Sequence, residues 1–168
     1  MTVQVARAFG IQGEELNHVW RGALLHDVGK LAIPDDILKK KGKLTPEERL
    51  VMEEHPIRAY EMLKGIEYLK PALNIPLYHH ERWDGTGYPF QVAATDIPLH
   101  ARIFAIVDVF DALSFDRPYR MTIPRNEVVE HLRNGSGKHF DPEVVRVFLK
   151  ILDRITPSAW TECESKSA

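Results

Sequence analysis

Apolar residues recur every three or four positions along four segments of this chain, a spacing that places them on one face of an α-helix. These segments are Leu16 to Leu31, Leu69 to Tyr78, Ala101 to Leu113 and Val144 to Leu152. No stretch has the alternating pattern that is typical of a strand. The sequence therefore predicts an all-α fold.

The chain length favours a single domain. A chain of 168 residues can bury one good hydrophobic core, and chains of this size normally form one domain. We expect residues 1–155 to form that domain. Residues 156–168 are mostly small and polar, and we expect them to form a C-terminal tail.

Composition excludes several classes of partner. A net charge of -2 and a pI of about 6.4 give no general attraction to a nucleic acid polymer or an anionic membrane, so phosphate binding would require a local site. Cys163, the single cysteine, cannot form an internal disulfide. The sequence has no apolar run long enough for a membrane span and no signal peptide, so we expect a cytoplasmic protein.

Two helix starts are marked in the sequence, and one long loop interrupts the helical pattern. Thr45 precedes a proline and a capping-box glutamate, and Asp141 also precedes a proline. The periodicity disappears between Glu81 and Pro98, where glycines and a proline cluster. Such a long ordered loop is usually functional.

An imidazole and a carboxylate lie side by side at the end of the first apolar segment, as His26 and Asp27. An unpaired charge would be costly there, and both groups are good ligands for a divalent metal ion. Taken alone, the pair is more simply explained by a hydrogen bond at a helix end.

Further ligand types change this interpretation. His55, His79 and His80 lie beside helix boundaries, and Asp108 interrupts an apolar helical run. One metal cluster would explain all of these residues together. The alternative for Asp108 is a buried ion pair with an arginine such as Arg102.

The long loop begins at His79 and His80 and should form one wall of the pocket. Gly87 allows close backbone approach, Pro89 stiffens the exit, and Tyr88 offers a flat ring and a hydroxyl group. An ordinary turn is the alternative for the glycines and Pro89, and a core position for Trp83.

Three cations are candidates for phosphate or guanine binding. Lys30 stands four residues after His26, on the same face of a predicted helix, and Arg117 and Arg120 follow the segment that contains Asp108. Solvated surface charge is the alternative for all three.

The combined motifs resemble the HD-GYP family of cyclic di-GMP phosphodiesterases, a branch of the HD metal-dependent phosphohydrolases. The resemblance extends from about Val3 to Leu152. It depends on five motifs: His-Asp-x-Gly-Lys at 26–30, His-Pro at 55–56, His-His-Glu-x-Trp-Asp-Gly-x-Gly-Tyr-Pro at 79–89, Asp-Val-Phe-Asp-Ala-Leu at 108–113 and Arg-Pro-Tyr-Arg at 117–120.

The resemblance implies a helical bundle that hydrolyses cyclic di-GMP to pGpG, GMP or both. It implies two or three divalent metal ions, commonly iron or manganese, held by His26, Asp27, His55, His79, His80 and Asp108. Lys30 would contact the scissile phosphate with Asp27 and Asp111 supporting the reaction, and Gly87, Tyr88, Pro89, Arg117 and Arg120 would hold the dinucleotide.

The resemblance also suggests partners and alternatives. GGDEF-domain proteins are candidate partners, and an upstream sensory or receiver domain is expected in a longer natural product. The family's first metal-binding histidine would precede Met1, so a catalytically impaired module that binds cyclic di-GMP or docks on a diguanylate cyclase is the main alternative. A general HD mononucleotide phosphohydrolase is the second.

Overall fold

The computed structural model of the chain describes residues 1–114 and 123–155. These residues form nine α-helices and three short 3-10 helices. The α-helices are α1 (Thr2–Ala8), α2 (Gly13–Leu25), α3 (Asp35–Leu38), α4 (Pro46–Met52), α5 (His55–Leu63), α6 (Asn74–Tyr78), α7 (Leu99–Ser114), α8 (Arg125–Asn134) and α9 (Pro142–Ile155). The 3-10 helices are Val28–Ala32, Glu67–Ala72 and Ala94–Asp96.

Helix α7 is the centre of the bundle. It packs against α1, α6, α8 and α9. Most of its apolar side chains are buried, and they lie on several faces of the helix. Phe110 of α7 meets Phe148 of α9 edge to face, with ring centroids 5.3 Å apart. A helix that is apolar nearly all round must be surrounded by other elements, which explains why α7 occupies this position.

The two predicted helix starts are confirmed. The Thr45 side chain accepts a hydrogen bond from the Glu48 N–H, and the Glu48 side chain accepts one from the Thr45 N–H, which completes a capping box for α4. The Asp141 carboxylate accepts hydrogen bonds from the N–H groups of Glu143 and Val144 at the start of α9. Both side chains satisfy donors that have no partner inside the helix.

The all-α prediction is also confirmed for the described part of the chain, where the only β-type pairing is an isolated bridge between Ser136 and Phe140. Two predicted helices need correction. The α-helix that contains the start of the first apolar segment ends at Leu25, and the chain continues as the 3-10 helix Val28–Ala32. The segment ending at Tyr78 is divided between the 3-10 helix Glu67–Ala72 and the short α6.

Among residues 1–114 and 123–155, no helix is both long and apolar enough to cross a bilayer. The predicted tail, residues 156–168, lies outside the described residues, as do Arg117 and Arg120.

Candidate metal centre

Three candidate ligands each make the same kind of local hydrogen bond, from a ring nitrogen to a nearby backbone carbonyl. The Nδ1 atoms of His26, His55 and His79 lie 2.8, 2.8 and 3.0 Å from the carbonyl oxygens of Ala23, Met52 and Pro76, each three residues earlier. Because a carbonyl only accepts, each Nδ1 carries the proton and donates it. Each histidine thereby satisfies a carbonyl in the last turn of a helix, where the helix itself offers no donor.

This arrangement leaves the Nε2 lone pairs available. The Nε2 atoms of His55 and His79 are 3.5 Å apart, and Nε2 of His55 is 3.5 Å from Oδ1 of Asp27. One ligand atom from each of Asp27, His55, His79 and His80 lies within 4.8 Å of the others. A cation between these acceptors would compensate their lone pairs and the carboxylate charge, so the arrangement makes the four residues candidates for one metal site.

Asp27 stands between two groups of candidate ligands. Its Oδ1 is buried and has no hydrogen-bond partner among the described residues. Its Oδ2 is 3.3 Å from Nε2 of His26, which is 4.0 Å from Oδ1 of Asp108. The first group, Asp27 with His55, His79 and His80, therefore adjoins a second group formed by Asp27, His26 and Asp108.

The pKa shifts follow from burial and the nearby charges. Burial lowers the pKa of His79 to about 3 and that of His80 to about 2, assisted by neighbouring imidazoles. Burial opposes ionisation of Asp27, but hydrogen bonds with His26 and Lys30 outweigh it and hold its pKa well below the usual range. Two imidazoles are thus neutral and one carboxylate is ionised, the protonation states that metal binding requires.

His26 has a raised pKa despite burial, because the carboxylates of Asp27 and Asp108 stabilise its protonated form. A proton and a divalent ion compete for the same Nε2 lone pair. The donor set and the orphaned Oδ1 of Asp27 therefore fit a centre for divalent ions, with imidazole nitrogens and carboxylate oxygens as ligands.

Lys30 does not lie where the sequence predicted. Because α2 ends at Leu25, Lys30 is part of a 3-10 helix and not of a continuous α-helical face with His26. Its Nζ is 2.6 Å from Oδ2 of Asp27, so it contacts the carboxylate shared by the two groups. The predicted shared helical face is therefore wrong, and the contact with Asp27 is what brings Lys30 to the candidate ligands. Its role toward a phosphate stays a prediction.

The long loop lies over the first group. The Tyr88 ring stacks on the His80 imidazole, with centroids 4.7 Å apart and ring planes 23° apart. Gly87 precedes it, and a Cβ on that residue would lie 2.4 Å from the Arg82 nitrogen and 2.5 Å from the Glu81 Cα. Glycine is therefore required for the close approach that brings Tyr88 to the candidate ligands.

Asp111 and the alternatives left open by the sequence can also be located. Asp111 lines a cavity of about 260 Å³ together with His26 and Asp108. Arg102 forms an ion pair of 2.6 Å with Asp141 and donates to the Ile97 carbonyl. The guanidinium that the sequence offered as a partner for Asp108 is thus held by Asp141.

Sequence reasoning overlooked two residues of this region. Gly29, inside the His-Asp-x-Gly-Lys motif, is buried where a Cβ would lie 1.9 Å from the His55 carbonyl oxygen. Glu81 has a side chain buried below the long loop. Their signals were a glycine within an apolar helical pattern and an acidic residue directly after two candidate ligands.

Comparison with known families gives one model match. The HD domain model matches residues 2–144, which include all six candidate ligands. Because the match covers most of the chain, it assigns this chain to that family.

Curated relatives agree with this assignment. The chain is 43% identical over 148 residues to "Cyclic di-GMP phosphodiesterase response regulator RpfG" of Xanthomonas campestris, covering 87% of this chain and 39% of that protein. It is 39% identical over 152 residues to "3'3'-cGAMP-specific phosphodiesterase 2" of Vibrio cholerae, covering 89% of this chain and 29% of that protein. The chain thus spans well under half the length of these relatives.

Solved structures support the fold. A cyclic GMP-AMP-specific phosphodiesterase of V. cholerae matches with a TM-score of 0.67 at 18% identity, over 93% of this chain and 42% of that one. An HDGYP protein from Bdellovibrio bacteriovorus matches with a TM-score of 0.67 at 24% identity, over 89% and 48%. The resemblance that the sequence motifs indicated is confirmed.

Proposed function

Because this chain belongs to the HD domain family, we propose that it is a metal-dependent phosphodiesterase that hydrolyses cyclic di-GMP to pGpG, GMP or both. The observation that carries the proposal is that one ligand atom from each of Asp27, His55, His79 and His80 lies within 4.8 Å of the others, around a carboxylate whose Oδ1 is buried without a hydrogen-bond partner among the described residues. The names of the curated relatives supply the substrate class.

In this proposal the two groups hold two or three divalent ions. Asp27, His55, His79 and His80 would hold one ion, and His26 with Asp108 would hold a second, with Asp27 shared between them. Imidazole and carboxylate ligands suit iron and manganese, which are the metals we propose. Divalent ions supply an activated water and polarise phosphoryl oxygens when bound.

The remaining side chains have roles that follow from their positions. Lys30 orients Asp27 through its 2.6 Å contact and offers a positive charge to the scissile phosphate. Asp111 borders the same cavity as His26 and supports the second group. Tyr88 covers His80 and, with Gly87 and Pro89, orients the dinucleotide so that attack is aligned.

Arg117 and Arg120, which lie outside the described residues, remain proposed contacts to the dinucleotide because guanidinium groups suit phosphate oxygens and the guanine edge. GGDEF-domain proteins and an upstream sensory or receiver domain remain proposed partners. The name of the Xanthomonas relative, a response regulator much longer than this chain, supports the receiver domain.

Hydrolysis of 3',3'-cyclic GMP-AMP is a second candidate function. It is supported by relatives with that named specificity that are 39% identical to this chain. The two cyclic dinucleotides differ in one base, so discrimination would come from contacts to the base rather than from the metal centre.

The decisive experiment loads the purified chain with Mn²⁺ or, without oxygen, Fe²⁺, and incubates it with cyclic di-GMP, 3',3'-cyclic GMP-AMP or a mononucleotide. Metal analysis and chromatography of the products follow. We expect bound metal and linear dinucleotide from cyclic di-GMP. A His79→Ala/His80→Ala variant should bind less metal, because it loses two ligands of the first group, and should form no linear dinucleotide. Binding of cyclic di-GMP without turnover would favour the binding module, and turnover of the mononucleotide alone would overturn the proposal.

A further inference from the structure

Glu81 is a buried acidic residue directly after the candidate ligands His79 and His80, and the proposed mechanism does not use it. Its side chain is 2% exposed. Oε1 accepts a hydrogen bond of 2.7 Å from the Phe90 N–H, and the N–H groups of Gln91 and Val92 interact with the same carboxylate. Oε2 is buried and has no hydrogen-bond partner among the described residues. The bond from the Phe90 N–H is therefore the contact that ties this carboxylate to the loop.

The Glu81 backbone holds the loop from the other side. The backbone of Gly87 packs so closely on Glu81 that a Cβ would lie 2.5 Å from the Glu81 Cα. The next residue, Tyr88, donates its N–H to the His80 carbonyl at 3.3 Å. Glu81 therefore fixes the loop before Tyr88 with its backbone and after Tyr88 with its side chain.

Tyr88 is the part of the loop that reaches the metal centre. Its ring stacks on His80, and Phe90 packs on Tyr78 with centroids 5.5 Å apart. The carboxylate of Glu81 is not among the ligand atoms that gather within 4.8 Å of one another. Its effect on substrate must therefore pass through the loop.

We infer that Glu81 is a positioning residue that holds Tyr88 over His80 and so sets the affinity for the cyclic dinucleotide. The inference rests on the proposed function for its substrate. Without the carboxylate, the Phe90 N–H loses its acceptor, and the loop loses the contact that fixes it after Tyr88. The His79 imidazole keeps its own hydrogen bonds to the backbone carbonyls of Ile75 and Pro76.

The test compares Glu81→Ala and Glu81→Gln with Glu130→Ala, which removes an exposed acidic side chain on α8. We expect Glu81→Ala to raise KM for cyclic di-GMP about tenfold, the effect of losing one buried hydrogen bond to a charged group. Metal content should stay at the wild-type value. Glu81→Gln, which keeps an acceptor oxygen, should restore most of the affinity, and Glu130→Ala should leave KM unchanged.

A double-mutant cycle tests whether Glu81 acts through Tyr88. In a Tyr88→Ala background, Glu81→Ala should change KM less than about twofold, because coupled residues have non-additive effects. A full additional tenfold increase would overturn the inference. Lost metal in Glu81→Ala would also overturn it, since that result would place Glu81 in the metal centre.

Hydrogen exchange separates this inference from the proposed function. If Glu81 holds the loop, the Phe90, Gln91 and Val92 amides should exchange faster in Glu81→Ala than in the wild type, while α7 amides stay protected. This holds whether or not cyclic di-GMP is hydrolysed. Unchanged exchange at the three amides would remove Glu81 as a positioning residue, whereas failure of hydrolysis in the wild type alone would count against the proposed function.

Discussion

At the scale of single residues, the candidate centre repeats one hydrogen bond. His26, His55 and His79 each donate from Nδ1 to a carbonyl three residues earlier. The tautomer and ring orientation are thereby fixed by the local chain, and Nε2 is left for a metal ion. Sequence could identify these histidines by their places at helix boundaries, but not the carbonyls that orient them.

Asp27 is the residue on which both ligand groups depend. Asp27→Asn keeps the size of the side chain but replaces one carboxylate oxygen with an NH₂ group, which donates hydrogen bonds and offers no oxygen ligand to a metal ion. We expect metal binding to weaken in both ligand groups. Loss of a residue that only hydrogen-bonds a metal ligand lowers metal affinity by up to about a hundredfold, so loss of a ligand itself should lower it at least that much. Metal analysis of the purified variant measures this.

The matched control is His131→Ala, which removes an exposed imidazole on α8, a helix that carries none of the six candidate ligands. It should keep the wild-type metal content. Full metal content in Asp27→Asn would show that Asp27 is not shared between the two groups.

At the scale of helices and loops, periodicity predicted α7 and α9 well because their apolar positions are buried by neighbouring helices. Periodicity wrongly predicted a continuous α-helix past Leu25 and through Pro71. The 3-10 helix after Leu25 allows Gly29 to approach α5, a tertiary requirement with no periodic signal. Pro71 has no N–H for a hydrogen bond, and it lies within a 3-10 helix instead of a continuous α-helix.

The candidate site also has features that the local sequence predicted and others that depend on tertiary packing. Residue types and motifs identified the six candidate ligands, because buried histidines and carboxylates beside helix ends need a partner. The pairing of Lys30 with Asp27 and the support from Glu81 depend on where the chain turns. Those turns are set by packing between distant segments, which spacing along one helix does not describe.

Gly29 joins two ligand-bearing segments, and its substitution should disturb both. In Gly29→Ala the new Cβ would lie 1.9 Å from the His55 carbonyl oxygen and 2.6 Å from the Ala59 nitrogen, so the backbone must move. We expect a loss of about 3 kcal/mol in the free energy of unfolding, the upper range for overpacking, together with weaker metal binding. Denaturant unfolding and metal titration measure the two effects.

Gly65→Ala is a suitable control, because a Cβ there meets no atom within 4 Å. Its free energy of unfolding should stay within about 0.5 kcal/mol of the wild type. Equal stability of the two variants would contradict the tight contact between the 3-10 helix and α5.

At the scale of the whole molecule, the candidate ligands connect segments that are distant in sequence. They belong to the ends of α2 and α6, the start of α5 and the middle of α7. A metal ion shared by these helices would bind the folded chain and not the unfolded one. Its binding free energy would then contribute directly to stability.

Removal of the metal should therefore lower the melting temperature. With free Mn²⁺ a thousandfold above its Kd, linkage predicts a stabilisation of about 4 kcal/mol. For a chain of this length that corresponds to about 10 °C in Tm. Thermal unfolding with Mn²⁺ and after chelation measures the difference. The His79→Ala/His80→Ala variant should respond much less, and an equal response would place the stabilising ion elsewhere.

The three carbonyls that orient His26, His55 and His79 lie in the last turns of α2, α4 and α6. The C-terminal end of a helix carries a partial negative charge from its aligned peptide dipoles. Three such ends and the carboxylates of Asp27 and Asp108 create a field that attracts cations and repels phosphate. If the chain has the function proposed above, the metal ions would bind first, because they would neutralise this field before a doubly charged dinucleotide enters the site.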